Sequence, residues 1–214
     1  MLYNLTMNTI SYLKEVYGYG KPIFLKDIRI GGKTKSSIRK ELSRGVEKGE
    51  IQRESNGIYY LLEEKEIPVP ISFEDVIEKK FIKNNYGIQD LDIDVYGYYT
   101  GMTFLHQIGI TQQVPAVPEI TTNNTSCKRI FTCNGYRAIL RKGRTEINRL
   151  NHKALQFFDL FYLLDENEIK ENKELLVEYI KKYLTKKDFE ENIKYYPTRI
   201  LKIIVEEGLI NAFR

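Results

Sequence analysis

Basic and short polar residues that could contact nucleic acid are concentrated near the amino end of this chain. Residues 21–53 contain ten lysines and arginines against four acidic residues. Lysine and arginine neutralise phosphates and displace counterions, and short polar side chains can reach base edges in a major groove. This chemistry predicts a surface that binds double-stranded DNA. The candidate residues in one predicted helix are Lys35, Ser36, Ser37, Arg39, Lys40, Ser43 and Arg44.

An apolar stripe in the same segment predicts which way these side chains point. Ile38, Leu42 and Val46 recur every four residues, the spacing of a helix packed on a core. At about 100° per residue, such a stripe turns Lys40 and Arg44 outward. The helix needs a capping residue at its start and a stop at its end. The candidates for these positions are Thr34, Ser36, Ser37 and Gly49.

A tight hairpin is predicted directly after this helix. Residues 51–62 form two short runs around Asn56-Gly57, a dipeptide typical of two-residue hairpin turns. On this hairpin, Arg53 and Asn56 are the expected contacts to nucleic acid.

Two further helices are predicted earlier in the chain, over about residues 5–17 and 25–30. The first is expected to turn Ile10, Leu13 and Val16 inward. Three helices followed by a hairpin are typical of a winged helix-turn-helix.

The domain boundary is predicted at a charged stretch that contains two prolines. Residues 63–70 read Glu-Glu-Lys-Glu-Ile-Pro-Val-Pro, which is typical of an extended linker. We therefore expect a winged helix-turn-helix domain over residues 1–66, a linker over 67–71 and a second domain over 72–214. The second domain is predicted to be mixed α/β, with a small sheet and a helical carboxyl-terminal tail, so the fold class is α+β.

The elements of the second domain follow from apolar periodicity and turn residues. A helix capped by Ser72 is expected first, and a short helix over Tyr98–Ile108 follows. Strands are predicted over residues 116–122, 128–132 and 136–141, with Asn134-Gly135 joining the last two. The predicted tail helices cover residues 155–164, 175–184, 189–196 and 200–212.

A second basic zone covers residues 128–164, with eight lysines and arginines against two acidic residues. If Ile130 faces the core, Arg129, Arg137 and Arg141 project from one face of the predicted hairpin. Such a patch could add phosphate contacts or receive an acidic protein or RNA, and an ordinary solvated sheet face is the alternative. The residues of this second basic patch are Arg129, Arg137, Arg141, Lys142 and Arg144.

The acidic series Asp90, Asp92 and Asp94 does not fit a metal site. A calcium loop needs glycine at its sixth position and a carboxylate at its twelfth, where this chain has Val95 and Gly101. A metal-dependent nuclease is also disfavoured, because Glu119 lacks the lysine that usually follows two residues later.

The remaining reactive residue types predict no catalytic residue, metal or cofactor. His106 and His152 lie apart from ligand partners, and Cys127 and Cys133 are too far apart for a Cys-x-x-Cys site. No apolar run approaches the roughly 18 residues of a membrane span. We therefore expect a cytoplasmic protein with reduced cysteines, no membrane partner and no enzymatic activity.

Several short motifs in the second half resemble AbiEi-family antitoxins. In that family a Tyr-Ser/Thr-Gly turn precedes a Gly-Leu-Thr-x-Gln-x-Pro segment, a strand with Thr-Asn, a basic strand and an apolar helix. With the amino-terminal module, the resemblance covers roughly residues 8–210. The motifs are Gly97-Tyr98-Tyr99-Thr100-Gly101, Gly109-Ile110-Thr111-Gln112-Gln113-Val114-Pro115, Glu119-Ile120-Thr121-Thr122-Asn123 and Leu155-Gln156-Phe157-Phe158-Asp159-Leu160.

The resemblance implies a component of a bacterial type IV toxin–antitoxin, or abortive infection, system. Such an antitoxin represses its own operon through the amino-terminal domain and opposes a nucleotidyltransferase toxin, directly or indirectly. The expected partners are therefore operator DNA and that toxin. Two other functions stay open: a nuclease or other enzyme docked by a winged helix, and a transcription factor whose second domain senses a small ligand.

Overall fold

The computed structural model describes residues 8–62, 70–85 and 93–213. The chain divides into two compact units. Unit 1 comprises Met1–Lys79 with Cys133–Tyr136, and unit 2 comprises Lys80–Thr132 with Arg137–Arg214. Both units combine helices with short strands. The predicted α+β class is therefore confirmed.

Unit 1 has a small antiparallel sheet in the order β1-β3-β2. Tyr59, in the middle strand, pairs with Ile23 on one side and with Arg53 on the other. One turn of π-helix, Glu78–Ile82, follows the last helix. The elements are α1 (Thr9–Tyr17), β1 (Ile23–Phe24), α2 (Lys35–Glu47), β2 (Gln52–Ser55), β3 (Ile58–Tyr60) and α3 (Phe73–Ile77).

The core of unit 1 forms between α1, α2 and the sheet. The predicted inward residues Ile10, Leu13, Ile38 and Leu42 are buried. Val16 is 51% exposed, so its prediction as a core residue is wrong. It lies in the last turn of α1, just before the helix ends at its glycine cap, where the side chain projects into solvent. The remaining buried members of this core are Ile23, Ile28, Ile51, Tyr59 and Leu61.

The helix predicted over residues 25–30 is absent, and a turn stands in its place. The chain turns here instead, and Asp27 N donates to the Phe24 carbonyl at 2.9 Å. Side chains donate to two carbonyls of this segment. Tyr17 Oη donates to the Asp27 carbonyl at 3.3 Å, and the Arg29 guanidinium donates to the Lys26 carbonyl.

Unit 2 is built on a four-stranded sheet in the order β6-β7-β9-β8 and a separate strand pair, β4-β5. β7 runs antiparallel to β6 and parallel to β9. The hairpin between β8 and β9 turns at Asn134 and Gly135, whose φ angles of 48° and 80° are typical of a type I′ turn. The strands are β4 (Lys83–Asn85), β5 (Ile93–Val95), β6 (Gly97–Thr100), β7 (Glu119–Thr122), β8 (Arg129–Cys133) and β9 (Tyr136–Lys142).

Two predicted elements of unit 2 begin later than expected. The helix predicted over Tyr98–Ile108 begins only at Gly101, because residues 97–100 pair with β7 as a strand. Gly101 has a φ of 66°, which separates the strand from the helix. The strand predicted from residue 116 begins at Glu119, since Pro118 has no N–H to donate to a ladder.

Four helices of unit 2 overlap the predicted tail helices, but the helix Glu166–Glu171 was not predicted and the last helix ends at Glu206. Their core contains the fully buried rings of Phe157, Phe158 and Phe161. Phe157 packs edge to face on Phe161 at 5.3 Å and stacks on Tyr179 at 5.7 Å between ring centroids. The helices are α4 (Gly101–Gln107), α5 (His152–Asp159), α6 (Glu166–Glu171), α7 (Lys173–Tyr183), α8 (Lys186–Asn192) and α9 (Thr198–Glu206).

Most of the predicted linker, residues 67–69, lies outside the described residues. The helix capped by Ser72 is confirmed, and Ser72 Oγ accepts a hydrogen bond from Asp75 N at 3.0 Å. Among the described residues, no helix has the length and apolar content needed to cross a bilayer.

Candidate nucleic-acid interface

The helix α2 begins and ends where the sequence predicts. Thr34 is the N-cap among the three candidates, and its Oγ1 accepts a hydrogen bond from Ser37 N at 3.1 Å. At the other end Gly49 has a φ of 72°, a left-handed conformation that favours glycine after a helix. Both ends of the candidate recognition surface are therefore fixed by local chemistry.

The outer face of α2 carries the predicted basic and polar side chains. Ser37 is half-buried because its hydroxyl turns toward the neighbouring Glu41, to which it donates at 3.3 Å. Lys35 and Arg44 are nine residues apart, which corresponds to about 14 Å along a helix axis. A B-DNA major groove is about 12 Å wide. The exposed residues of this face are Lys35, Ser36, Arg39, Lys40, Ser43 and Arg44.

The four cations of this face have no partner within the described part of the chain. The side chains of Lys35, Arg39, Lys40 and Arg44 make neither a hydrogen bond nor an ion pair there. Lys33, which belongs to the same basic segment, behaves differently, because its Nζ lies 2.6 Å from Glu41 Oε2. A phosphate would therefore meet four uncompensated charges on α2 without first breaking a salt bridge.

Glu41 fixes α2 against the first turn of α1. Its Oε2 accepts hydrogen bonds from Thr9 Oγ1 at 2.6 Å and from Thr9 N at 3.2 Å, in addition to Lys33 Nζ. Burial alone would raise the pKa of this carboxyl group. The hydrogen bonds from Lys33 and Thr9 outweigh that effect and lower the pKa to about 2. Glu41 is therefore ionised at neutral pH and holds two helices in one arrangement.

Gly45 lets α1 and the residue before β2 come close to the inner face of α2. A Cβ added at Gly45 would lie 2.8 Å from Ile10 Cδ1 and 3.1 Å from Ile51 Cγ2. A larger residue would push α2 outward, so the small residue supports the position of the basic face.

The β2–β3 hairpin presents the second group of predicted contacts. Arg53 is exposed, and its Nη2 donates to Asn56 Oδ1 at 3.2 Å across the turn. Gly57 has a φ of 75°, and the strand pairing shifts by one residue between Arg53 and Ser55. This bulge and glycine close a short, twisted hairpin whose tip carries Arg53 and Asn56 together.

The second basic patch is not one continuous surface. Ile130 is 59% exposed, so its prediction as an inward residue is wrong. The inward positions of β8 are Phe131 and Cys133, and side chains alternate along a strand, so Arg129 shares their side. On β9 the buried residues are Ala138 and Leu140, which places Arg137 and Arg141 on the opposite side. Arg129, Arg137 and Arg141 therefore do not project from one face as predicted.

The arginines of this patch also differ in their partners. Arg129 Nε donates to Thr125 Oγ1 at 3.2 Å, and Arg141 is paired with Glu119. Arg144 Nε lies 3.8 Å from Asp159 Oδ1. Arg137 and Lys142 are exposed and have no side-chain partner among the described residues. The patch thus separates into two exposed cations, Arg137 and Lys142, and three arginines that have partners.

The acidic residues considered for metal binding form no metal cluster in the part of the chain that the structure describes. Asp90 and Asp92 lie outside the described residues, and Asp94 is an exposed residue of β5. Glu119 accepts two hydrogen bonds from Arg141. Across the described ranges, no group of three His, Cys, Asp or Glu side chains could hold a metal ion.

Two acidic residues with structural importance were missed by sequence reasoning. Glu41 interrupts a basic face, and Asp159 is the single acidic residue in an otherwise apolar stretch of α5. A charged residue that stands alone among residues of opposite charge or among apolar residues is a usable signal, because a buried charge requires partners.

Comparison of the chain with family models, curated proteins and solved structures gives no match.

Proposed function

We propose that unit 1 is a winged helix that binds double-stranded DNA, with α2 in the major groove and the β2–β3 hairpin as the wing. The order α1, β1, α2, β2, β3 and the sheet order β1-β3-β2 support this assignment. A turn stands where such a module usually has its second helix.

The observation that carries the proposal is the set of unpaired cations on the outer face of α2. Lys35, Arg39, Lys40 and Arg44 are exposed and have no partner in the described chain, while Glu41 secures the helix from its inner side. Evenly solvated surfaces mix both signs of charge. The exposed side chains of α2 carry these four cations against one carboxylate, Glu47, and this excess of positive charge favours a polyanionic partner.

Ser36 and Ser43 give this face a means of reading sequence. Both are exposed and neither hydroxyl has a side-chain hydrogen bond within the described chain, so each can donate to or accept from a base edge. The cations position the helix on the backbone, and the short polar residues are close enough to the helix axis to contact bases.

We infer that the physiological role is repression of the chain's own operon as an antitoxin of a type IV toxin–antitoxin system. The motifs that resemble AbiEi-family antitoxins and the basic face of α2 support this role. We further propose that unit 2 opposes a nucleotidyltransferase toxin.

Selection from a random duplex library tests the DNA-binding proposal and identifies the preferred operator in the same experiment. The full chain should enrich one family of duplexes, and footprinting should show protection of a major groove. A library that stays random after repeated rounds would contradict sequence-specific binding. A promoter–reporter fusion in cells then tests repression, and coexpression with a nucleotidyltransferase encoded beside the gene tests the antitoxin role.

A further inference from the structure

Unit 2 contains a cleft of about 530 Å³ beside the end of β9. Ligand sites for small organic molecules commonly occupy about 300–1,000 Å³. Basic and hydroxyl groups dominate one part of the wall, and an aromatic and an aliphatic side chain form another. The lining includes Thr100, Thr121, Arg141, Lys142, Arg144 and Tyr162.

Arg141 is held in the cleft by one edge of its guanidinium group. Its Nε and Nη2 donate to Glu119 Oε2 at 2.9 and 2.5 Å. Nη1 has no hydrogen-bond partner in the described part of the chain. Gly101 permits this pairing, since an added Cβ would lie 2.6 Å from the Glu119 carboxylate. The arginine is therefore oriented in advance and keeps donors for a ligand.

Arg144 is held by stacking. Its Cζ lies 4.3 Å from the ring centroid of Tyr162 and 5.2 Å from that of Tyr196. The nearest carboxylate oxygen, on Asp159, is 3.8 Å from Nε, too far for a hydrogen bond. Cation–π contacts thus hold the guanidinium, and its N–H groups have no hydrogen-bond partner among the described residues.

Lys142 adds a third cation without a side-chain partner in the described residues. Gly143 lies between Lys142 and Arg144 in the chain. A larger residue would not fit at this position, because a Cβ there would lie 2.9 Å from the Thr145 carbonyl oxygen. Three cations against the carboxylates of Glu119 and Asp159 leave an excess of one positive charge. The cleft therefore favours an anion of low charge.

The Asp159 carboxylate, which also lines the cleft, is held by two tyrosine hydroxyls. Tyr98 Oη donates to Oδ2 at 2.9 Å, and Tyr196 Oη donates to Oδ1 at 3.1 Å. Burial raises the pKa of Asp159, although these hydrogen bonds and the nearby arginines act in the opposite direction. Its role is to fix the two phenols and, through Tyr196, the stacked Arg144.

We propose that this cleft binds a small phosphorylated molecule with a flat apolar part, such as a nucleoside monophosphate. Guanidinium and ammonium donors suit a phosphate group. Tyr162 and Leu163, which are 43% and 45% exposed, offer an apolar surface for the remainder of the ligand. The carboxylates of Glu119 and Asp159 oppose a polyanionic strand. This site is independent of the DNA-binding proposal.

Calorimetric titration of the full chain with AMP, CMP, GMP and UMP tests the proposal. At least one should bind with a Kd below about 1 mM, and Arg144→Ala should raise that Kd by at least about tenfold, the equivalent of about 1.4 kcal/mol. Lys142→Ala, which breaks no internal contact, should raise it severalfold. Arg137→Ala removes an exposed cation of the same strand that does not line the cleft and should leave the Kd unchanged.

The comparison ligands decide which part of the proposal holds. Inorganic phosphate and the unphosphorylated nucleosides should each bind more weakly than the best monophosphate. Equal affinity for inorganic phosphate would contradict the apolar subsite, and equal affinity for the nucleoside would contradict the phosphate subsite. Absence of binding by all four monophosphates, or unchanged affinity in both Arg144→Ala and Lys142→Ala, would overturn the proposal.

Discussion

Thr9 Oγ1 donates a 2.6 Å hydrogen bond to Glu41 Oε2 and so joins the first residue of α1 to the middle of α2. Lys33 Nζ reaches the same oxygen at 2.6 Å. One carboxylate on the inner side of α2 thereby determines how the helix is held, while the cations on its outer side have no partner in the described chain. The position of the candidate DNA-binding surface thus depends on Glu41 and its partners, whereas its charge depends on the cations of the outer side.

Replacement of Glu41 by glutamine should lower the stability of unit 1. Hydrogen bonds to charged groups contribute about 1.5–3 kcal/mol each, and Glu41→Gln removes the charge while it keeps the shape. Urea unfolding at pH 7 measures the effect. Glu47→Gln, an exposed change on the same helix with no side-chain partner among the described residues, is the matched control and should have little effect.

Glu41 should also give unit 1 a specific acid sensitivity. The folded-state pKa of about 2 lies below the unfolded value of 4.5, so the contribution of Glu41 is complete above pH 4.5. It is lost as the pH falls toward 2, because the unfolded state takes up a proton first. The difference in unfolding free energy between the wild type and Glu41→Gln should shrink over that window. A difference that stays constant from about pH 6 to about pH 2.5 would contradict the assignment.

Lys79 should add a second pH dependence, in which stability again rises with pH, at alkaline pH. Its Nζ donates to the Pro22 carbonyl at 2.6 Å and lies 5.0 Å from the Tyr17 ring centroid. Burial, with help from the charge of Lys21 and against that of Asp27, lowers the pKa of Lys79 to about 8 from 10.5. The folded state loses its proton first, so stability should rise between pH 8 and pH 10.5. Lys79→Met should remove that rise in urea unfolding curves, and Lys14→Met should retain it.

Gly97→Ala should prevent correct folding of unit 2. A Cβ at this position would lie 2.0 Å from the Phe81 carbonyl oxygen and 2.8 Å from that of Thr121. Both neighbours are backbone atoms and cannot rotate away, so the substitution should cost about 3 kcal/mol or more. Gly31→Ala, where an added Cβ meets nothing within 4 Å, is the control. Thermal unfolding followed by near-ultraviolet circular dichroism would show whether only Gly97→Ala is destabilised.

The salt dependence of DNA binding should report the individual cations of α2. Loss of one phosphate contact reduces the slope of log K against log salt concentration by about 0.9. Lys35→Ala should therefore weaken binding to all duplexes and make the slope shallower. Ser43→Ala should leave the slope unchanged and relax the preference at one base pair. If both substitutions altered only the slope, Ser43 would be a backbone contact.

Local signals allowed α2 and its hairpin to be predicted from the sequence. The stripe through Ile38 and Leu42, the cap at Thr34 and the turn at Asn56-Gly57 each involve residues close together in the chain. A turn replaces the helix predicted over residues 25–30, and Tyr17, ten positions before Asp27, donates to the Asp27 carbonyl there. Such a contact has no local signature.

The cleft of unit 2 could not be predicted from the sequence. Thr100, Thr121 and Arg141 come together only because β7 lies between β6 and β9, and that strand order is not encoded by any nearby turn. Asp159 and Arg144 approach from outside these strands. The one available signal was the isolated acidic residue of the apolar helix.

The most direct test of the central claim is fluorescence anisotropy of the selected duplex with the Lys40→Ala, Arg44→Ala double variant. The variant should fold normally, since neither side chain has an internal partner in the described chain. Its affinity should fall by at least about a hundredfold, while Lys14→Ala, Lys181→Ala loses the same charge elsewhere and should bind within severalfold of the wild type. An unchanged Kd in the folded Lys40→Ala, Arg44→Ala variant would contradict the role of α2 in DNA binding.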